Sequence, residues 1–291
     1  MGRYLNLGNA GFQSIRKGLY IDKTKLIEYI NGTLGTKEKL ICVSRPRRFG
    51  KSYATQMLCA YYDKSADSRS LFKDLAIEKS ESFDIYLNKY NVIYLDITWF
   101  ISTVEEINGT VKYLQREVIN ELRESYPDLT EEKRSLPIAL SDISDAIGEK
   151  FIIIIDEWDA LFREAKDNTA LQKEYLQLLR GLFKSSVTDK MIEAAYMTGI
   201  LPIKKYGTQS ALTDFREFTM IQPQMLAEYV GFTEEEVNQL CSEYNLNFSE
   251  AKRWYDGYSF SKVHSVYSPN SIMQAIKNHE FGDYWTETET Y

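Results

Sequence analysis

The stretch Leu40-Ile41-Cys42-Val43-Ser44-Arg45-Pro46-Arg47-Arg48-Phe49-Gly50-Lys51-Ser52 decides the fold. Its apolar opening, Leu40 to Val43, reads as a buried parallel strand, and a helical pattern starts at Tyr53. Strand, tight turn, Gly-Lys-Ser and helix is the order in which such a triplet becomes a phosphate cradle. Backbone N–H groups at the new helix's N-terminus face a polyphosphate, Lys51 reaches its outer groups, and the Ser52 hydroxyl is placed for Mg²⁺. Gly50 allows close approach of the backbone. The pattern departs from the usual one at a single place, where the first glycine is replaced by Arg45.

A second stretch, Phe151 to Asp159 (FIIIIDEWD), answers the first. Its apolar run makes a central strand that delivers Asp156 and Glu157 to its carboxyl end, where ligands sit in an open α/β sheet. There Asp156 would hold hydrated Mg²⁺, and Glu157 would orient and deprotonate water. Taken singly, acids after a strand are also good helix caps. Their pairing with the Gly50-Lys51-Ser52 triplet upstream favours the nucleotide reading.

Arg45 to Ser52, RPRRFGKS, resembles the P-loop of the AAA-ATPase-like family, in which this form replaces the first glycine. Further matching segments are Tyr20-Ile21-Asp22-Lys23-Thr24, Asp156 to Phe162 (DEWDALF), Thr198-Gly199-Ile200, Gly231-Phe232-Thr233 with Glu234 to Glu236, and Trp254-Tyr255-Asp256-Gly257-Tyr258. The resemblance covers nearly the whole chain. It implies ATP and Mg²⁺ as cofactors. The implied cofactor-binding set is Arg45, Pro46, Arg47, Arg48, Phe49, Gly50, Lys51, Ser52, Tyr53 and Tyr20, with Ser52 and Asp156 as metal ligands and Glu157, Lys51 and Thr198 as catalytic groups. Thr198 lies near the end of a third strand pattern, Ala194 to Ile200, where such ATPases hold the attacking water; threonine also simply favours strands. Tyr20 and Ile21 suit either the nucleotide base or plain packing. Arg45, Arg47 and Arg48 suit either phosphate oxygens or acids on neighbouring helices. Many family members carry a further C-terminal domain similar to PD-(D/E)XK nucleases, and the sequence ends before such a domain would start.

The 291 residues can bury one large core or two modest ones, with 44% apolar and 26% charged residues, as in an ordinary globular protein. No apolar run is long enough to span a membrane and none resembles a signal peptide, so a cytoplasmic protein is expected. Cys42, Cys59 and Cys241 fall on core-strand or helix patterns as buried free thiols, and two histidines make a zinc site improbable. A net charge of −7 argues against a whole-surface nucleic-acid binder.

Asn91 to Thr98 reads as another core strand, whose Asp96 either touches the site or caps the next turn. Helices are expected from about Lys25 with Leu26, Ile27 and Ile30 inward, over Ser52 to Tyr62, Thr110 to Tyr126 and Leu171 to Val187. A charged loop is expected between Pro127 and Pro137. The strand pattern ends at Ile200, and Lys204 and Lys205 follow in a loop. Beyond it come helices over Gln224 to Tyr229, Thr233 to Tyr244 with a Thr233–Glu236 capping box, Ser249 to Asp256, and Asn270 to Asn278. Trp254, Tyr255, Tyr258 and Phe260 cluster around Gly257 as packing or base-stacking groups.

The expected fold is therefore α/β: a P-loop NTPase with a mostly parallel sheet flanked by helices (1–206), followed by a smaller helical lid domain (207–291) hinged at Leu201 to Gln209. The expected function is Mg-dependent ATP binding and hydrolysis coupled to a conformational change. A small-molecule kinase and a nucleotide-gated binding module with slow hydrolysis are the rivals. A homo-oligomer and a protein or nucleic-acid partner stay open, as does a trans-acting arginine among Arg163, Arg180 and Arg216.

Overall fold

The computed structural model describes residues 2–129, 135–203, 212–255 and 265–284. Five parallel strands, β1 (Leu40–Ser44), β2 (Asn91–Asp96), β3 (Phe151–Asp156), β4 (Ile192–Gly199) and β5 (Arg216–Phe218), form one sheet in the order β2-β3-β4-β1-β5. Side chains alternate across a strand, so each apolar strand feeds two faces at once. On one face Ile41, Val43, Val92, Ile152, Ile154 and Tyr196 pack against Phe12 of α1 (Ala10–Arg16), the apolar side of α2 (Lys25–Asn31), and Met57, Leu58 and Tyr61 of α3 (Lys51–Tyr62). On the other, Cys42, Ile93, Leu95, Ile153, Ile155 and Met197 are covered by α4 (Ile97–Thr103), α5 (Thr110–Ser125), α6 (Leu136–Ile147), α7 (Ala160–Glu164) and α8 (Thr169–Phe183). Residues Tyr4 to Asn6 add an antiparallel bridge, Leu5 to Ile93, alongside β2.

A third apolar cluster belongs to the C-terminal part. The antiparallel pair β6 (Phe232–Thr233) and β7 (Val266–Tyr267) joins α9 (Glu234–Glu243), α10 (Phe248–Tyr255) and α11 (Pro269–Asn278) around Val237, Leu240, Ala251, Ile272 and Ile276. Leu19 and Ile21, from the segment before α2, pack on this cluster. The same segment supplies Lys23, whose ammonium donates at 2.6 Å to both Glu236 carboxylate oxygens and to the carbonyl of Glu228.

Several expectations need correction. The strand pattern does not end at Ile200, since Arg216–Phe218 returns to the sheet and pairs with β1. Three residues, two of them charged, are too short and too polar for a periodicity signal. Phe218, Leu226, Ala227 and Val230 belong to the core beneath the sheet, as does Val266 of β7, while the buried residues of the C-terminal cluster start at Phe232. β2 stops at Asp96, because its carboxylate accepts the Trp99 N–H at 3.1 Å and starts α4. This makes Asp96 a helix cap, one of its two expected readings. β4 begins at Ile192 and ends at Gly199, and only a 3₁₀ turn, Gln224–Leu226, occupies the expected helix from Gln224. Helices α1 and α6 add to the expected set. Lys204, Lys205, most of the 201–209 hinge, and Asp256, Gly257, Tyr258 and Phe260 lie outside the described residues.

The three cysteines are buried free thiols, and burial pushes their pKa values up. Among the described residues no helix is long and apolar enough to cross a membrane.

The Thr233–Glu236 capping box is complete: the Thr233 hydroxyl accepts the Glu236 N–H at 3.3 Å and the Glu236 carboxylate accepts the Thr233 N–H at 2.8 Å. Thr233→Ala should therefore lower stability by about 1 kcal/mol, read as a fall in the urea midpoint with unchanged slope. An unchanged midpoint would mean that the cap contributes nothing to the cooperative unit.

Candidate functional site

The site is assembled by strand order. Because β4 lies between β1 and β3, the loop after β1, Thr198 near the end of β4 and Asp156 at the end of β3 become neighbours at the carboxyl edge. The loop enters α3 through Gly50, the N-cap, at φ 85°, and Arg48 just before it is also left-handed at φ 65°. Gly50 has no side chain to cap the helix, so the first N–H groups of α3 stay available. Lys51 is 4% exposed, and its ammonium donates to the carbonyls of Arg45 (3.1 Å) and Pro46 (2.9 Å). Burial pushes its pKa down, opposed chiefly by Glu157, whose Oε1 lies 3.7 Å away.

At the end of β3, Asp156 is buried among donors. Its Oδ1 accepts the Thr198 hydroxyl, and the Glu157 N–H at 3.1 Å. Its Oδ2 has only long hydroxyl contacts, from Thr55 and Tyr94 at 3.5 Å each. The Thr55 hydroxyl also donates to the Ser52 carbonyl at 2.9 Å, so one side chain joins the two expected metal ligands. This oxygen-only pair, with one carboxylate oxygen weakly satisfied, suits Mg²⁺, which keeps several waters and takes few protein oxygens.

Glu157 sits at φ 53°, a strained backbone for a non-glycine residue and typical of functional positions. Its carboxylate pairs with the Arg163 guanidinium, and Arg163 Nε lies 3.2 Å from Asp159 Oδ2. Burial raises the pKa of Glu157, with Lys51 and then Arg163 opposing. Asp159 is fully buried and accepts the N–H groups of Ile200 (3.2 and 3.3 Å) and Leu201 (2.9 Å), fastening the end of β4 to the turn after β3. Gly199 is required there, because a Cβ would come within 2.6 Å of Trp158 Nε1 and 2.8 Å of Asp159 Oδ1.

These groups border a cleft of about 940 Å³. Leu19, Tyr20, Ile21 and Met57 line one side, and Tyr229, Gly231, Phe232, Pro269, Asn270 and Met273 another. Arg47, Arg48, Lys51, Arg163 and Lys277 give it a cationic lining. Of the expected cofactor set, Tyr20, Arg47, Arg48, Phe49, Gly50, Lys51, Ser52 and Tyr53 line this cleft, as does Glu157. Asp156 and Thr198 lie buried at the strand ends. Arg45 departs from both of its expected readings: its guanidinium points away from the cleft and donates to the carbonyls of Ser44, Phe218 and Leu226. Arg163 and Arg216, two of the expected trans-acting candidates, are engaged within the chain, Arg216 with Glu38 at 2.9 Å. The sequence reading missed Arg163 as a partner of Glu157. The available signal was its position four residues after Asp159 on a helix that starts beside the acids. Tyr229, Phe232, Met273 and Lys277 carried no local signal, because only the tertiary fold brings them to the cleft.

Among curated proteins, no match to this sequence is found. Solved structures to which it is similar include AMPPCP-bound DnaA from Aquifex aeolicus (12% identity, 95% of this chain and 62% of that chain, TM-score 0.38) and PCH-2 from C. elegans (13% identity, 97% and 62%, TM-score 0.39). The ORC2 protein of Aeropyrum pernix, in ADPNP–ADP complexes, is 8% identical over 80% of this chain and 50% of that one, with a TM-score of 0.38. The chain thus spans between 50% and 62% of the length of these structures. The sequence model of the AAA-ATPase-like family, described as predicted AAA-ATPase, matches residues 6–208, more than half of the chain and all three of the strands that build the site; this chain belongs to that family.

Proposed function

We propose that the chain binds ATP with Mg²⁺ in this cleft and hydrolyses it. The observation that carries the reading is the convergence of Lys51, Thr198, Asp156 and Glu157 at three adjacent parallel strand ends, beside the open N-terminus of α3. Lys51 now rests on two neutral carbonyls, which are weaker partners than phosphate oxygens, so its ammonium is available to the β and γ groups. The N–H groups after Gly50 complete the cradle, and Arg47 and Arg48 supply charge at its mouth. Mg²⁺, when bound, neutralises charge building up on the phosphates; Ser52 and Asp156 are the residues that would hold it.

Glu157 acts as the base that orients and deprotonates water, and its raised pKa moves it toward the range where a base works near neutrality. Thr198 serves the acids: its hydroxyl proton is committed to Asp156, while its oxygen lies 3.4 Å from the Glu157 N–H. The apolar walls from Leu19 to Ile21 and from Tyr229 to Phe232 suit a heterocycle, and adenine follows from the family resemblance. The C-terminal cluster supplies Phe232 and Met273 to one wall of the cleft, which is where a coupled movement would be felt. The pairing of Glu157 with Arg163 supports a second reading, a nucleotide-gated module with slow hydrolysis acting on a partner.

Lys51→Ala should leave the fold intact and abolish MgATP binding in isothermal titration; unchanged affinity would remove the phosphate-cradle reading. Glu157→Gln should retain binding and slow turnover by about a hundredfold or more, the range of general-base loss. Wild-type turnover in that variant would transfer the base role to another group. Arg163→Gln removes a cation that stabilises the Glu157 carboxylate, so the base would protonate at higher pH. The acid limb of kcat against pH should therefore move upward, and a limb that stays in place or moves down would show that Arg163 does not act on Glu157.

A further inference from the structure

A glycine at the head of a phosphate loop turns the chain by having no side chain; Arg45 turns it with one. Its N–H donates to the Gly199 carbonyl at 3.0 Å, carrying the β1–β4 ladder one residue past the end of β1. Its own carbonyl accepts the Lys51 ammonium at 3.1 Å. Its guanidinium donates from Nη1 to the carbonyls of Ser44 and Phe218, both at 3.0 Å, and from Nη2 to that of Leu226 at 3.5 Å. One residue therefore touches β1, β4, β5, the 224–226 turn and the lysine of the cradle.

The acceptors are all carbonyls. Ser44 and Phe218 end neighbouring parallel strands, where carbonyls lose their ladder partners. The guanidinium Nε and the Tyr196 hydroxyl beside it have no hydrogen-bond partner among the described residues. A cation that is 1% exposed and balanced only by carbonyl dipoles is costly to bury, although it gives three carbonyls their donors. The Lys51 ammonium meets the main-chain carbonyl of residue 45, so the arginine side chain acts on the cradle by holding the stretch that carries this carbonyl against β5 and the 224–226 turn.

We propose that Arg45 is the positioning residue of the phosphate loop: it fixes the carbonyl on which Lys51 rests and ties the loop to the 218–231 segment, whose Tyr229 and Gly231 wall the cleft. The inference rests on the nucleotide reading above and adds that the cradle and this wall respond to phosphate as one body. Its length and fork matter, because a lysine at the same place reaches fewer carbonyls at once.

The test uses the full chain and three measurements: thermal unfolding without nucleotide, MgATP affinity by titration calorimetry, and hydrogen exchange of residues 218–231 at saturating MgATP. Arg45→Met should melt lower than the wild type, because three carbonyls lose their donor, and should bind MgATP at least about tenfold more weakly at a temperature where both are folded. MgATP should protect 218–231 in the wild type and leave that segment unprotected in Arg45→Met. Arg45→Lys should recover part of the affinity, and it carries the same comparison if Arg45→Met does not fold. Wild-type affinity in the folded variant, wild-type protection of 218–231, or affinity that falls only in step with melting temperature would overturn the proposal. A wild-type chain that does not bind MgATP would remove the nucleotide reading and this inference with it. Binding by the wild type with no effect of the variants would remove this inference alone.

Discussion

Everything at the site depends on one adjacency: β4 is hydrogen-bonded to β1 on one side and to β3 on the other. Parallel strands end on the same side of a sheet, so this order alone carries the Gly50-Lys51-Ser52 turn, Thr198 and Asp156 to one edge. The strands can lie there because each is apolar on both faces and is clad by helices above and below. Local sequence makes the strands and the turn, and burial fixes their order.

At that edge charge is managed by contact. Lys51, Arg163, Asp156, Glu157 and Asp159 share a small, mostly buried volume, where desolvation disfavours every charged form and opposite charges restore it. For Lys51 and Glu157 desolvation is the larger effect, and each is the other's main compensation. With two cations against three carboxylates this inner volume leans negative, which suits the proposed Mg²⁺, while Arg47, Arg48 and Lys277 on the cleft lining suit the proposed polyphosphate. Asp159 contributes differently: it is spent on backbone N–H groups of Ile200 and Leu201, so it fixes where β4 ends.

Much of this was legible in the chain. The runs Leu40 to Val43 and Phe151 to Ile155 are long, apolar and punctuated by chemistry-bearing residues, so periodicity and motif agree, and the capping box at Thr233 and Glu236 is a purely local signal. What escaped was decided by tertiary contact. β5 is a strand because β1 offers an edge, although Arg216 and Glu217 have no strand character of their own. The pairing of Arg163 with Glu157 depends on the tight turn between β3 and α7, and the role of Arg45 on carbonyls far along the chain. The extent of the C-terminal part was not legible for the same reason: composition changes at 206, but Val230 and Val266 still pack in the core beneath the sheet.

The bridge between Leu5 and Ile93 has a consequence for how the molecule meets other chains. β2 is the last full strand on its side of the sheet, and an open strand there would offer a row of unpaired backbone groups to any extended peptide. Instead Asn6 N–H donates to Val92 O and Tyr94 N–H to Tyr4 O, both at 2.8 Å, while the Asn6 side chain accepts the Val92 N–H at 2.8 Å. Glu121 on α5 holds this segment by accepting the N–H groups of Tyr4 and Leu5. Residues 4–6 thus act as a stopper against strand addition, and shortening the chain at this end would convert a closed flank into an adhesive one without touching the cleft.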